Sequence, residues 1–212
     1  MKKLQILVCA LLLGSISVNA QKKKNHKSST KPKVEFGVKA GASLSKITGP
    51  DEYYTYNNKV GYYGGLVAKY SVAPKFDLQA ELLCSMLGTG MKAKREDYIN
   101  NGNLNMSYIV LPIMAQLKIS RELYIEGGPE FSFLVDSKLK DKESSKENEW
   151  KDRSTKFNIA IGFGGGYYFT NNLAVNLRAN LGVGTPIAKT SDLKVSEFRL
   201  NNFQLGLTYF FK

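Results

Sequence analysis

Histidine is nearly missing from this chain: the single one, His26, lies in a lysine-rich stretch near the N-terminus. Without a histidine on a folded element, no Ser-His-Asp or Asp-His arrangement of a lipase, acyltransferase or protease can be assembled, so no enzymatic activity and no catalytic residue are expected. Cysteine is equally scarce. Cys9 falls inside an apolar N-terminal stretch, and Cys84 is then the only one left, which excludes an internal disulfide and any cysteine-based structural zinc site. With no His/Cys cluster and no glycine-rich phosphate loop, neither metal nor cofactor is expected. Also lacking is any run of the roughly eighteen apolar residues that a membrane-spanning helix needs.

The first twenty residues read as a secretory signal. Lys2 and Lys3 supply the basic start, Leu4 to Leu13 the apolar stretch, and Val18-Asn19-Ala20 the small or apolar residues before a cut at Gln21. Cys9 sits within the apolar stretch rather than directly after it, so no lipid attachment is expected. The formal charge of +12 is concentrated at this end. Removal of Lys2 and Lys3 leaves +10, and the six lysines of residues 21–33 account for all but +4 of the remainder. The basic leader QKKKNHKSSTKPK has the composition of a solvated, disordered segment and a secondary reading as a contact for anionic headgroups or an acidic partner. Nucleic acid would want basic and aromatic residues interleaved on a folded surface, and it is not an expected partner.

What the remainder does have is a period of two. In VEFGVKAGASLS, Val34, Phe36, Val38, Ala40, Ala42 and Leu44 share one face while polar residues and glycine take the other. The pattern recurs seven times: in KVGYYGGLVAKY, FDLQAELLCSMLG, SYIVLPIMAQLK, LYIEGGPEFSFLV, KFNIAIGFGGGYYF, LAVNLRANLGVG and the C-terminal strand carrying Phe203, Leu205, Leu207, Tyr209 and Phe211. Connections alternate long and short, the short ones being SVAPK, ISRE and TNN. The charged stretch from Asp136 to Thr155 is expected as a long external loop. Eight short amphipathic strands behind an export signal imply an all-β fold: an eight-stranded antiparallel up-and-down transmembrane β-barrel in an outer membrane, over residues 34–212. Its long loops would face outward, and its short turns, both termini and the leader would face the periplasm.

Alternation does not say which face is inside, because a soluble lipocalin-like barrel alternates too. Two features favour apolar-out. The polar face is rich in glycine and carries isolated ions of both signs, as suits a narrow lumen. On the apolar face, Tyr62, Tyr70, Phe76, Tyr167, Phe169 and Tyr209 lie near strand ends, where an aromatic girdle belongs. Cys84 is expected on that face as a small apolar residue.

Buried lumenal ions must pair. Arg178 and Lys39 are expected to neutralise some of Glu35, Glu81, Glu126 and Glu130, as structural pairing or, more sharply, as a gating or ligand-contacting cluster. Glu126 and Glu130 alone suggest no hydrolase, since acids on one strand face are ordinary in a polar lumen. The GFGGG of residues 162–166 lies within a strand, where it eases curvature and close packing. In the first loop Tyr53, Tyr54 and Tyr56 are a candidate contact patch, or else pack above the rim; Trp150 is equally ambiguous.

FGVKAGASLS, the mid-strand Pro112 of YIVLPIMAQLK, the Glu126, Gly128 and Pro129 of YIEGGPEFSFLV, Arg178 and the closing QLGLTYFF together resemble the PorT-like outer-membrane β-barrel proteins. The family often has an acid two places before the strand-four proline, where this chain has Val110. The resemblance implies a barrel, and its named member implies an accessory role in protein secretion; fold alone does not supply the function. The expected role is structural or interactive, with lipid, an envelope protein and, through the C-terminal strand, the barrel-assembly machinery as partners. The alternatives are a narrow, porin-like channel or small-ligand conduit, and a soluble periplasmic ligand-binding barrel. An interior just wide enough for side chains argues against a free pore.

Overall fold

The computed structural model describes residues 34–49, 54–93, 102–141, 147–149, 154–183 and 198–211. The expected signal and leader, together with Tyr53 and Trp150, lie outside the described residues. Ten strands follow in chain order: β1 (Val34–Thr48), β2 (Tyr54–Asn57), β3 (Lys59–Ala73), β4 (Phe76–Ala93), β5 (Gly102–Lys118), β6 (Leu123–Asp141), β7 (Glu147–Glu149), β8 (Phe157–Tyr168), β9 (Leu173–Gly182) and β10 (Arg199–Phe210). Eight of them form a closed antiparallel barrel. The ring runs β1-β3-β4-β5-β6-β8-β9-β10, and β10 returns to β1 in a continuous register from Gly37 opposite Phe210 to Thr48 opposite Arg199. The short β2 and β7 attach to β4 and β6 outside this ring.

Apolar side chains point out. Leu205 is 57% exposed, and Phe36, Leu177, Ile161, Phe163 and Phe203 stand out in the same way, while Lys39, Glu81, Gln116, Asn176 and Arg178 are buried inside. A soluble barrel would have the opposite polarity, so the structure excludes the lipocalin-like alternative: this surface fits a bilayer. Of the six girdle aromatics, Tyr62, Tyr70, Tyr167, Phe169 and Tyr209 are exposed; Phe76 is half-buried. At the short-turn end Tyr167 meets Phe169 edge-on at 5.5 Å and Tyr209 meets Phe211 at 5.9 Å. Cys84 takes the outward phase and is half-buried.

Two of the connections expected to be long are shorter than the sequence implied. β6 continues through Asp141, and Glu147–Glu149 pairs with Lys138–Lys140, so part of the charged 136–155 stretch is sheet rather than loop. β4 reaches Ala93 and β5 begins at Gly102, which narrows that connection as well. The reason is physical: beyond the bilayer both faces of a strand are wet, so charged residues occupy either phase while the backbone ladder carries on. A register shift between Ser107 and Tyr108, opposite the extra residue Val135, resets the phase there. The wall is consequently uneven: β4, β5 and β6 have 18, 17 and 19 residues, against 12, 10 and 12 in β8, β9 and β10. A tilted strand needs only about 9–11 residues to cross.

Leu205→Arg tests the polarity. On a soluble surface an exposed leucine accepts arginine at little cost, whereas near a bilayer midplane the substitution should destabilise the barrel by about 2–4 kcal/mol, read as a lower urea midpoint for the protein folded in lipid vesicles.

Candidate functional site: the filled lumen

Inward positions follow from strand phase alone, but which of them meet is set by register. Three layers result. The middle layer is built on Arg178 of β9, which is 0% exposed. Its Nε donates to Glu126 Oε1 at 2.8 Å, and its Nη1 and Nη2 donate to Glu81 Oε2 and Oε1 at 3.1 and 2.7 Å. Lys39 Nζ of β1 donates to Glu81 Oε1 at 2.9 Å. Two glutamines complete the shell: Gln79 Nε2 reaches Glu81 Oε1 at 2.7 Å, and Gln116 Nε2 reaches Glu126 Oε2 at 2.9 Å and Gln79 Oε1 at 3.2 Å. Two cations and two anions thus balance, and strands β1, β4, β5, β6 and β9 are tied across the interior. The bidentate fork of Arg178 on Glu81 fixes direction as well as charge.

Of the four candidate acids, Arg178 and Lys39 therefore neutralise Glu81 and Glu126, and the other two stand elsewhere. Glu35 joins neither Arg178 nor Lys39; it pairs with Lys69 at 2.7 Å, the residue directly opposite it in the β1–β3 register. Glu130 enters no ion pair among the described residues, and its Oε2 has no hydrogen-bond partner. The Glu35–Lys69 pair belongs to the second layer, at the short-turn end. There Lys69 also donates to the Tyr168 hydroxyl at 3.0 Å and lies 4.2 Å from the centroid of Phe210, while Lys118 pairs with Asp77 at 2.8 Å.

The third layer, at the long-loop end, is apolar. Ile47, Leu83, Leu87, Met91, Leu104, Met106, Tyr108, Val110, Leu134, Phe198 and Leu200 form one buried cluster inside the barrel. Tyr56 belongs to it, edge-on to Phe198 at 5.9 Å, so it packs over the rim and is not an exposed contact. Nothing is described for the side chain of Tyr54. Val110, 1% exposed, lies in this layer among apolar neighbours. Doubled apolar pairs such as Leu82-Leu83, Met86-Leu87 and Val110-Leu111, which break the period of two, were the available signal for this plug.

Glycine makes room between layers. A Cβ on Gly206 or Gly41 would run into the Tyr63 hydroxyl, and one on Gly166 would meet the Tyr124 ring. Lumenal glycine on β1, β8 and β10 therefore admits the inward Tyr63 and Tyr124, the close packing expected of the GFGGG segment.

Arg178→Met leaves Glu126 and half of Glu81's shell unpaired in a dry interior. The loss should be about 3–5 kcal/mol, measured by denaturant unfolding, and adding Glu126→Gln should return part of it.

The family described as "Outer membrane protein beta-barrel domain" matches residues 19–186. No curated protein matches the sequence. Among solved structures the chain is similar to Neisserial surface protein A (NspA), at 14% identity over 83% of this chain and 97% of that one, with a TM-score of 0.53. It is also similar to Ail, the attachment invasion locus protein of Yersinia pestis, at 14% identity over 84% and 98%, TM-score 0.48. A third is the outer membrane protein OprG from Pseudomonas aeruginosa, at 14% over 84% and 95%, TM-score 0.46. At such identity the likeness is one of fold. With closed topology, outward apolar surface and this family match agreeing, the chain belongs to the outer membrane protein beta-barrel domain family and resides in the outer membrane.

Proposed function

We propose that this protein is a structural and interaction component of the outer membrane, of the PorT-like kind, acting as an accessory in envelope assembly or protein secretion rather than as an enzyme or a conduit. The observation that carries the reading is the filled lumen. A solute moving along the axis would have to displace the Arg178–Glu81–Glu126–Lys39 cluster and then the layer of Tyr108, Met106 and Leu104. Breaking the first exposes unpaired charge, and parting the second exposes apolar surface; neither offers the weak, multiple sites that conduction uses. Activity is then left to the two ends of the barrel, the rim of β4, β5 and β6 and the short-turn end, and to the lysine-rich leader. The closing strand β10 is the segment offered to the barrel-assembly machinery.

In planar bilayers the folded protein should give no open-channel current, and crosslinking from the leader and the outer rim in intact cells should capture discrete envelope proteins. Steady single-channel conductance by the wild type would transfer the assignment to the narrow-channel class.

A further inference from the structure

The buried ions of the lumen pair off almost completely among the described residues: Arg178 and Lys39 with Glu81 and Glu126, Lys69 with Glu35, Lys118 with Asp77. Glu130 is left over. Its side chain projects from β6 into the lumen and is 2% exposed, and its Oε2 has no hydrogen-bond partner. The bases of the neighbouring layer, Arg178 and Lys39, give their hydrogen bonds to Glu81 and Glu126 instead. A lone carboxylate in such a place costs several kcal/mol unless something neutralises it.

Its surroundings indicate what does. Glu130 lines a cavity of about 20 Å³ together with Ser132, Asn158 and Asn202, with Leu87 and Leu200 on the apolar side. That is room for one particle the size of a water molecule. The Asn158 amide nitrogen is directed to the Tyr108 hydroxyl at 3.4 Å, and its Oδ1 has no donor. One position further, Asn180 Nδ2 is spent on Asn202 Oδ1 at 3.0 Å, and Asn180 Oδ1 is likewise without a donor. The buried atoms left without a partner here are all acceptors. A proton on Glu130 would supply a single O–H and satisfy one of them, whereas a cation meets several oxygens at once. Carboxylate, amide and hydroxyl oxygens are hard ligands, suited to hard cations, and a single negative charge is balanced by a single positive one.

We propose that the Glu130–Asn158 cavity is a binding site for one dehydrated monovalent cation of sodium or potassium size, which completes the charge balance of the lumen. The site ties β6 to β8 just above the Arg178 layer and acts on stability rather than transport.

The test follows unfolding in urea of the vesicle-folded protein, in sodium or potassium chloride and in N-methylglucammonium chloride at equal ionic strength. The wild type should unfold about tenfold faster without the alkali cation, and Glu130→Gln should remove the difference. Equal rates in all three salts for the wild type would overturn the proposal, as would an undiminished salt effect in E130Q or an infrared band of a protonated carboxyl that E130Q abolishes. Should E130Q fail to refold, thallium(I)-soaked crystals of the wild type decide: an anomalous peak beside Glu130 supports the site, and its absence there sinks it.

Discussion

Lipid offers the backbone no hydrogen bonds, and the whole architecture follows from that constraint. Every N–H and C=O within the hydrocarbon must find a partner in another strand, so the sheet cannot end; it closes where β10 meets β1 across twelve consecutive residue pairs. Closure at eight strands leaves an interior that side chains fill. Outward residues must then be apolar to suit the lipid, and inward ones are confined in a space too narrow for bulk water. The alternation in the sequence and the density of the lumen are two consequences of one requirement.

A narrow interior turns polarity into a pairing problem. Here it is solved by level. Charged and amide groups gather around Arg178 in the middle and around Lys69 and Lys118 toward the periplasm, where each cation finds an acid. Toward the outside, tyrosine, leucine and methionine fill most of the same bore, with Lys59 bonded to the Leu104 carbonyl at 3.1 Å. Glycine at positions 41, 166 and 206 lets Tyr63 and Tyr124 lie against the neighbouring wall. A wall whose interior is so committed makes a rigid platform, and its taller side, β4 to β6, carries the sheet beyond the membrane. Interaction at the ends fits that construction better than passage through it.

Much of the fold was legible because a period of two survives wherever one face meets lipid. All eight barrel strands, the short turns and the outward faces could be read from residues such as Val34 to Leu44 and Leu173 to Val183. The site was legible in part. Arg178, Lys39, Glu81 and Glu126 stood out as isolated ions on a polar face, but which of the four acids the two cations neutralise was left open, and only the β1–β3 register set Glu35 opposite Lys69. Gln79 and Gln116, which complete the ion shell, were passed over because amides attract no notice beside charges. The apolar plug was missed because Tyr63, Leu83 and Tyr108 share the polar phase with the lumenal ions.

Alternation and the spacing of the turns determined by themselves that this chain is an eight-stranded barrel, since those properties depend only on what each residue is and on its phase along a strand. Which acid meets which base, how far the sheet runs past the membrane and why Glu130 stands apart were decided only in three dimensions. The reason is that contacts across a barrel depend on the stagger between strands distant in the chain, and no local pattern carries that stagger.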